Sequence, residues 1–222
     1  MRLFKVHAVL MVLVLLTASS CMSYDATNYT YYESEWCVVQ GKGSQMALVT
    51  DDKVILKPSE SLDSMRFKAG DRYRVVYIPL GNQGTYSTVS GAKQVQVTNF
   101  QPVLVEDVLQ RTQFNGLVAD PVWMNTDPFF GGGYLNFDFQ FYSTETGIKH
   151  SIHLLQDSLV NRKLYVRFGH DANGDAKGKT SSALASFPIS SLKHASEADS
   201  MIVTMKEVYL YQSYRFALKD TL

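Results

Sequence analysis

The chain has 222 residues, with 21 basic and 21 acidic side chains and a formal charge of zero. That balance offers nucleic acid or an anionic surface little to grip, and 45% hydrophobic with 12% aromatic residues excludes a disordered polymer. The abundant tyrosines and phenylalanines lie largely in alternating patterns, which favours strands.

The N-terminus carries a targeting pattern. Arg2 and Lys5 form a short basic region, Ala8 to Leu16 is almost wholly apolar, and Ala18, Ser19 and Ser20 lead to Cys21. This is the layout of a secretory signal peptide, and its apolar run is too short to cross a bilayer comfortably. A cysteine after small residues resembles a bacterial lipobox, in which the thiol takes lipid (palmitate among its acyl chains) and Cys21 becomes the mature N-terminus. An ordinary cleaved signal with an incidental Cys21 is the rival reading. Removing residues 1–20 takes two basic and no acidic residues, so 19 stand against 21 and the net charge is −2. With Cys21 lipidated, Cys37 has no internal disulfide partner and reads as a small buried hydrophobe in Trp36-Cys37-Val38-Val39. Asp25 is the only acidic residue close behind Cys21, so no acid-rich surface-export signal is evident; the expected location is the outer membrane, on the periplasmic side.

After a polar tether, strands are expected at Tyr29–Gln40, Met46–Thr50 and Val54–Leu56, with one helical turn at Ser59–Met65 capped by Ser59 or Ser61. Arg72 to Pro79 follows Gly70-Asp71, with Tyr73, Val75 and Tyr77 alternating against Arg72 and Arg74. Gly81 to Gly84 is a turn, and Lys93–Thr98 and Val103–Leu109 are further short strands. Five or so strands in this span suit a small barrel such as an OB-fold. Arg111 to Phe130 is the weakest stretch for regular structure and holds the domain boundary. Beyond it, Leu135-Asn136-Phe137-Asp138-Phe139-Gln140-Phe141 alternates strictly, so one face is expected in a core and the other in water. Strands at Ile148–Leu155, Leu164–Phe168, Ala183–Ile189, Met201–Met205 and Val208–Leu218, with a turn at Asp157–Arg162, complete an antiparallel β-sandwich. The expected order is therefore a signal peptide at 1–20, a lipidated tether at 21–30, an OB-like domain at 31–112 and a β-sandwich domain at 113–222, an all-β chain.

The candidate chemistry is thin. His150 and His153 lie in an expected strand, where odd spacing sends side chains to opposite faces, so they read as ordinary strand histidines, not as a metal pair. Asp171, Asn173 and Asp175 alternate like the start of a calcium loop, but Ala176 and Ser182 stand where Gly and Glu belong, and Asn173-Gly174 is a strong turn signal. Gly178-Lys179-Thr180 mimics the end of a phosphate loop without the first glycine or the strand–loop–helix context. No nucleophile elbow, zinc-protease motif or paired-cysteine site occurs. Asp138 and Glu145 could pair only in space, and Tyr73, Tyr77 and Tyr86 are candidates for a stacking platform that an exported, slightly acidic protein gives little reason to possess.

Several local patterns in order resemble the NigD-like lipoproteins, found chiefly in Bacteroides-type bacteria. They are the lipobox at Cys21, Phe67-Lys68-Ala69-Gly70-Asp71-Arg72, Asp120-Pro121-Val122, Gly133-Tyr134-Leu135-Asn136-Phe137, and the run from Leu164 to Asp175. The resemblance implies an N-terminal OB-like domain, a C-terminal β-sandwich domain and an outer-membrane or periplasmic lipoprotein. It brings no catalytic residues and no cofactor, and some members of the family are associated with bacteriocin production loci. The expected function is a non-catalytic binding or structural module of the envelope, its partner a protein, a peptide or a glycan and not nucleic acid. A bacteriocin-associated, immunity-like factor is the alternative, and an envelope hydrolase a more distant one.

Overall fold

Alternation along Arg72–Pro79 becomes the central strand of a barrel. The computed structural model describes residues 31–80, 88–89, 91–111, 118–144 and 147–218. Cys21, Tyr86, Glu145 and the expected turn at 81–84 lie outside them. Residues 32–222 form one compact unit.

The barrel is built from β1 (Glu33–Gln40), β2 (Ala47–Thr50), β3 (Ile55–Pro58), β4 (Arg72–Pro79) and β6 (Ala92–Pro102), with the short β5 (Thr88–Val89) paired to β6. Antiparallel ladders run β3–β2–β1–β4–β6, and a parallel pairing of β3 with β6 closes the ring. Five strands closed in this order are the OB arrangement. Ser61 to Met65 is one turn, with the Met65 amide bonded to the Ser61 carbonyl. The strand expected at Lys93–Thr98 runs on to Pro102 and wraps the barrel, bulging opposite Val76/Tyr77, while the one expected at Val103–Leu109 is two short pieces, Leu104–Val105 and Leu109–Gln110, outside the barrel sheet. A bulge of this kind lets a long strand bend around a closed sheet without breaking its pairing. Cys37, Val39, Leu48, Leu56, Val75, Tyr77 and Val95 fill the interior. Tyr73 and Tyr77 are therefore core residues, not a stacking platform. The Tyr77 hydroxyl donates to Glu33 at 2.6 Å, which satisfies the one polar atom that its burial carries inside. Burial pushes the Cys37 thiol up to about 12, as expected of a small hydrophobe.

Two further sheets make the sandwich. One contains β7 (Leu104–Val105), β9 (Trp123–Met124), β10 (Phe129–Gly131), β11 (Tyr134–Ser143) and β14 (Lys179–Pro188). The other contains β8 (Leu109–Gln110), β12 (Ser151–Val160), β13 (Lys163–Asp171), β15 (Ser200–Lys206) and β16 (Tyr211–Ala217). The long hairpins are antiparallel, while β7 on β14, β8 on β12 and β15 on β13 pair parallel. Asp157 lies in β12, not in a turn; the chain reverses at Asn161-Arg162, both at positive φ, the signature of a two-residue hairpin loop. Leu135, Phe137 and Phe139 face a core shared with Leu154, Leu164, Phe168, Phe187 and Met201. A fully buried side chain of this size contributes about 1.5–3 kcal/mol, so this layer dominates the stability of the C-terminal half.

The opposite face of β11 is dry at Asn136 and Asp138. Asn136 is fully buried and Asp138 nearly so, because the polar face of β4 packs against them. Arg72 and Arg74, two residues apart on β4, reach Asn136 and Asp138, two residues apart on β11. Alternation reveals which face is polar; it does not reveal that two polar faces will be pressed together.

Candidate functional site

Two polar networks lie inside the described residues. The first is the seam between barrel and sandwich. Arg72, 1% exposed, donates through Nη2 to Asp51 at 2.7 Å and Asn136 at 3.2 Å, and through Nε to Ser186 at 3.0 Å. Its guanidinium lies 4.5 Å from the Tyr134 ring centre and 5.6 Å from that of Trp36, so aromatic faces replace lost water. Arg74 pairs with Asp138 and donates to Gln101, and Asn125 donates to Asp138 at 2.7 Å. Asp51 is cradled by Gly131 and Gly132: a Cβ at either would strike its carboxylate, and Gly132 has φ +61. The triple glycine after Phe130 therefore serves close backbone approach as well as turning.

The second network lies at one end of the sandwich. Asp175, in the turn between β13 and β14, accepts from the Thr144 amide at 2.8 Å and from the Thr144 hydroxyl. It is also 3.0 Å from His150 Nε2, and His150 Nδ1 is 2.8 Å from His170 Nε2. Phe141 covers both imidazoles, with ring centres 4.7 and 4.9 Å away. Hydrogen bonds from Thr144, then from His150, hold the Asp175 carboxyl well below the usual range, so it is ionised. Burial, and then the neighbouring His150, lower the His170 pKa, against weaker support for the charge from Asp120 and Asp171. The Nδ1 atom of His170 is buried without a hydrogen-bond partner.

Beside this chain lies a cleft of about 590 Å³, lined by Leu104, Phe141, Ser143, Thr144, Ile148, His150, Ile152 and Ala183. His150 contributes to its wall, with both ring nitrogens already engaged inside the protein.

Each candidate residue has a definite place. His150 precedes β12 instead of lying in it, and it is a link in a buried chain, not an ordinary strand histidine. His153 turns away to Glu106, 3.4 Å distant. The three calcium-loop candidates diverge. Asp171 accepts from the Asn173 amide, Asn173 donates to the Lys149 carbonyl, and Asp175 serves Thr144 and His150. His150 faces its two partners from opposite sides of its ring, so the cluster has no common point for an ion. Among the described residues, no group of three His, Cys, Asp or Glu side chains is arranged to hold a metal.

Sequence reasoning missed the pairing of His150 with His170. A signal existed: a turn at Asn161-Arg162 and a bulge at Gln156/Ser158 set the β12–β13 register, pairing Ile152 with His170. His150 then lies diagonally across from His170, within reach of a long side chain. The bulge is the part that the sequence does not announce.

An OB-type barrel sealed by arginines onto a β-sandwich defines a two-part all-β protein with no α-helix among its described residues. Residues 107–218 match the NigD-like C-terminal beta sandwich domain, and the chain belongs to the NigD-like family. Solved structures share the whole fold. A protein of unknown function from Bacteroides vulgatus superposes with a TM-score of 0.68 at 18% identity, over 86% of this chain and 94% of that one. A NigD-like immunity protein from Bacteroides caccae gives 0.58 at 18%, over 86% and 99%. A candidate lipoprotein from Bacteroides fragilis gives 0.62 at 8%, over 85% and 99%. No curated protein matches the sequence.

Proposed function

We propose that this chain is a binding or structural module of the cell envelope, held by lipid on Cys21 to the periplasmic side of the outer membrane, and that it catalyses no reaction. One observation carries the non-catalytic reading: His150, the histidine that borders the cleft, spends both ring nitrogens on Asp175 and His170. A general base needs a free nitrogen within reach of a substrate proton. The cleft instead offers Leu104, Phe141, Ile148 and Ile152, an apolar wall suited to an apolar group of a protein, peptide or glycan partner. The lipobox pattern and the shared fold of a candidate lipoprotein support the envelope location. In the native host, Cys21→Ser is expected to release the protein from the membrane fraction, and globomycin to accumulate the unprocessed form. Unchanged processing and partition under both would sink the anchor.

An immunity-like role is the second reading, supported by the fold shared with the Bacteroides caccae immunity protein. It requires that deleting the gene alter sensitivity to, or production of, a toxin; no change in either removes it.

A further inference from the structure

The two sheets of the sandwich end in unequal edges. Among the described residues, β7, β8, β9 and β10 are edge strands of two or three residues, whereas β16 runs for seven, Tyr211–Ala217. It pairs with β15 on one side and, among the described residues, with no strand on the other. Long edges are ordinarily blunted by proline, lysine or a bulge, because their open N–H and C=O groups invite another strand. β16 holds neither residue, and its ladder with β15 runs without a register shift.

The hydrogen-bonding sides of β16 are fixed. The Leu218 amide donates to the Asp199 carbonyl at 3.0 Å and the Glu207 amide to the Leu210 carbonyl at 2.9 Å, so even-numbered residues spend their main chain on β15. Alternation then turns the N–H and C=O groups of Tyr211, Ser213 and Arg215 away from it. At the head of the strand Tyr209, Leu210 and Tyr211 are 88%, 55% and 72% exposed, three large apolar side chains in succession. Single ones are ordinary on a surface; an adjacent set beside an open edge marks a contact.

The sequence of the strand is complementary to itself. A two-fold axis through Ser213 lays β16 antiparallel on a second β16, outward groups facing outward groups. Tyr211 then stands opposite Arg215, both exposed and on one face, and Leu210 comes level with Phe216, each pair made twice by symmetry. A guanidinium meets an aromatic ring instead of a second guanidinium. Leu210 extends the apolar cover of Phe216, whose ring already packs on Phe130 at 4.9 Å. A register centred on Tyr214 sets Tyr211 against Ala217 and Ser213 against Arg215, and makes neither match.

We propose that β16 is a self-association edge: a second copy of this chain pairs with it antiparallel about Ser213, joining two five-stranded sheets into one continuous sheet.

The test is disulfide trapping in cells of the native host. The full-length chain carries Ser213→Cys or Ala217→Cys, with the unsubstituted chain, whose Cys37 is buried, as baseline. Residues opposite each other in a hydrogen-bonded pair have Cα atoms about 5.5 Å apart, within disulfide reach. Position 217 lies eight residues out of line with its copy in this register, roughly 27 Å away. Copper phenanthroline is expected to give Ser213→Cys a band of twice the chain mass, at least about tenfold stronger than in Ala217→Cys or the unsubstituted chain. Adding Arg215→Pro removes an outward N–H and spares the β15 ladder, so it should cut that band at least about fivefold. Equal bands at 213 and 217, or none at 213, overturn the proposal. So does a band of another mass at 213, which would put a foreign strand on this edge. The comparison of the two cysteine positions decides the matter even should the proline variant not fold.

Discussion

The seam and the Asp175–His150–His170 chain are both buried polar networks, yet they are made of different chemistry and hold different things. The seam joins two sheets by guanidinium groups, which stay charged at any ordinary pH, and it contains no histidine among its bonded members. The histidine chain joins a turn to a strand end inside one domain, through imidazoles, and burial lowers the His170 pKa. The difference teaches where each residue type is usable: a permanent junction needs a donor that cannot be titrated away, and a local one can tolerate a donor that can.

The seam should fail hardest. Arg72→Ala strands the Asp51 carboxylate in a water-poor site and takes a donor from Asn136 and Ser186, and removing one partner of a buried ion pair costs about 3–5 kcal/mol. Urea denaturation is the measurement. A loss under about 1 kcal/mol would mean that the seam is open to water, and the contrast with the exposed pairs would collapse.

The histidine chain should give a smaller effect that depends on pH. Folding lowers the His170 pKa from 6.5, so below that value the unfolded chain binds a proton that the folded chain refuses. Stability is full above about pH 6.5 and falls with acid until the lowered native value is reached, with a slope of roughly 1.4 kcal/mol per pH unit for one proton. Melting temperature against pH should show this slope in the unsubstituted protein and lose it in His170→Phe. The same slope in both would show that the acid sensitivity lies elsewhere.

The smallest effect calibrates the other two. Arg167 meets Asp157 at 2.7 Å across the β12–β13 hairpin with its side chain 44% exposed. Arg167→Ala is expected to cost about 0.5 kcal/mol, and added salt should shrink that difference further. A loss as large as that of Arg72→Ala would erase the distinction between buried and exposed pairs on which the comparison rests.

What was legible in the sequence was local. Period-two alternation located β4 to the residue and the middles of β11 and β13, because a strand half-buried in a core leaves that pattern whatever it packs against. Asn173-Gly174 marked a turn by its chemistry. The family patterns indicated both domains. Less legible was anything that needed two distant segments at once. Asn136 and Asp138 read as solvent-facing because one strand carries no trace of the arginines that β4 brings to it.

The sequence by itself determined which residues alternate, which face of each strand is apolar, that the fold is all-β in two parts, and the lipobox pattern at Cys21. Tertiary structure alone decided that the polar faces of β4 and β11 meet, and that His150, His170 and Asp175 lie within hydrogen-bond distance in one chain. The physical reason is that burial of a polar group is tolerated only when another segment supplies its hydrogen bonds. Which segment does so depends on sheet order, closure and a single bulge, and none of these is a property of any one stretch of chain.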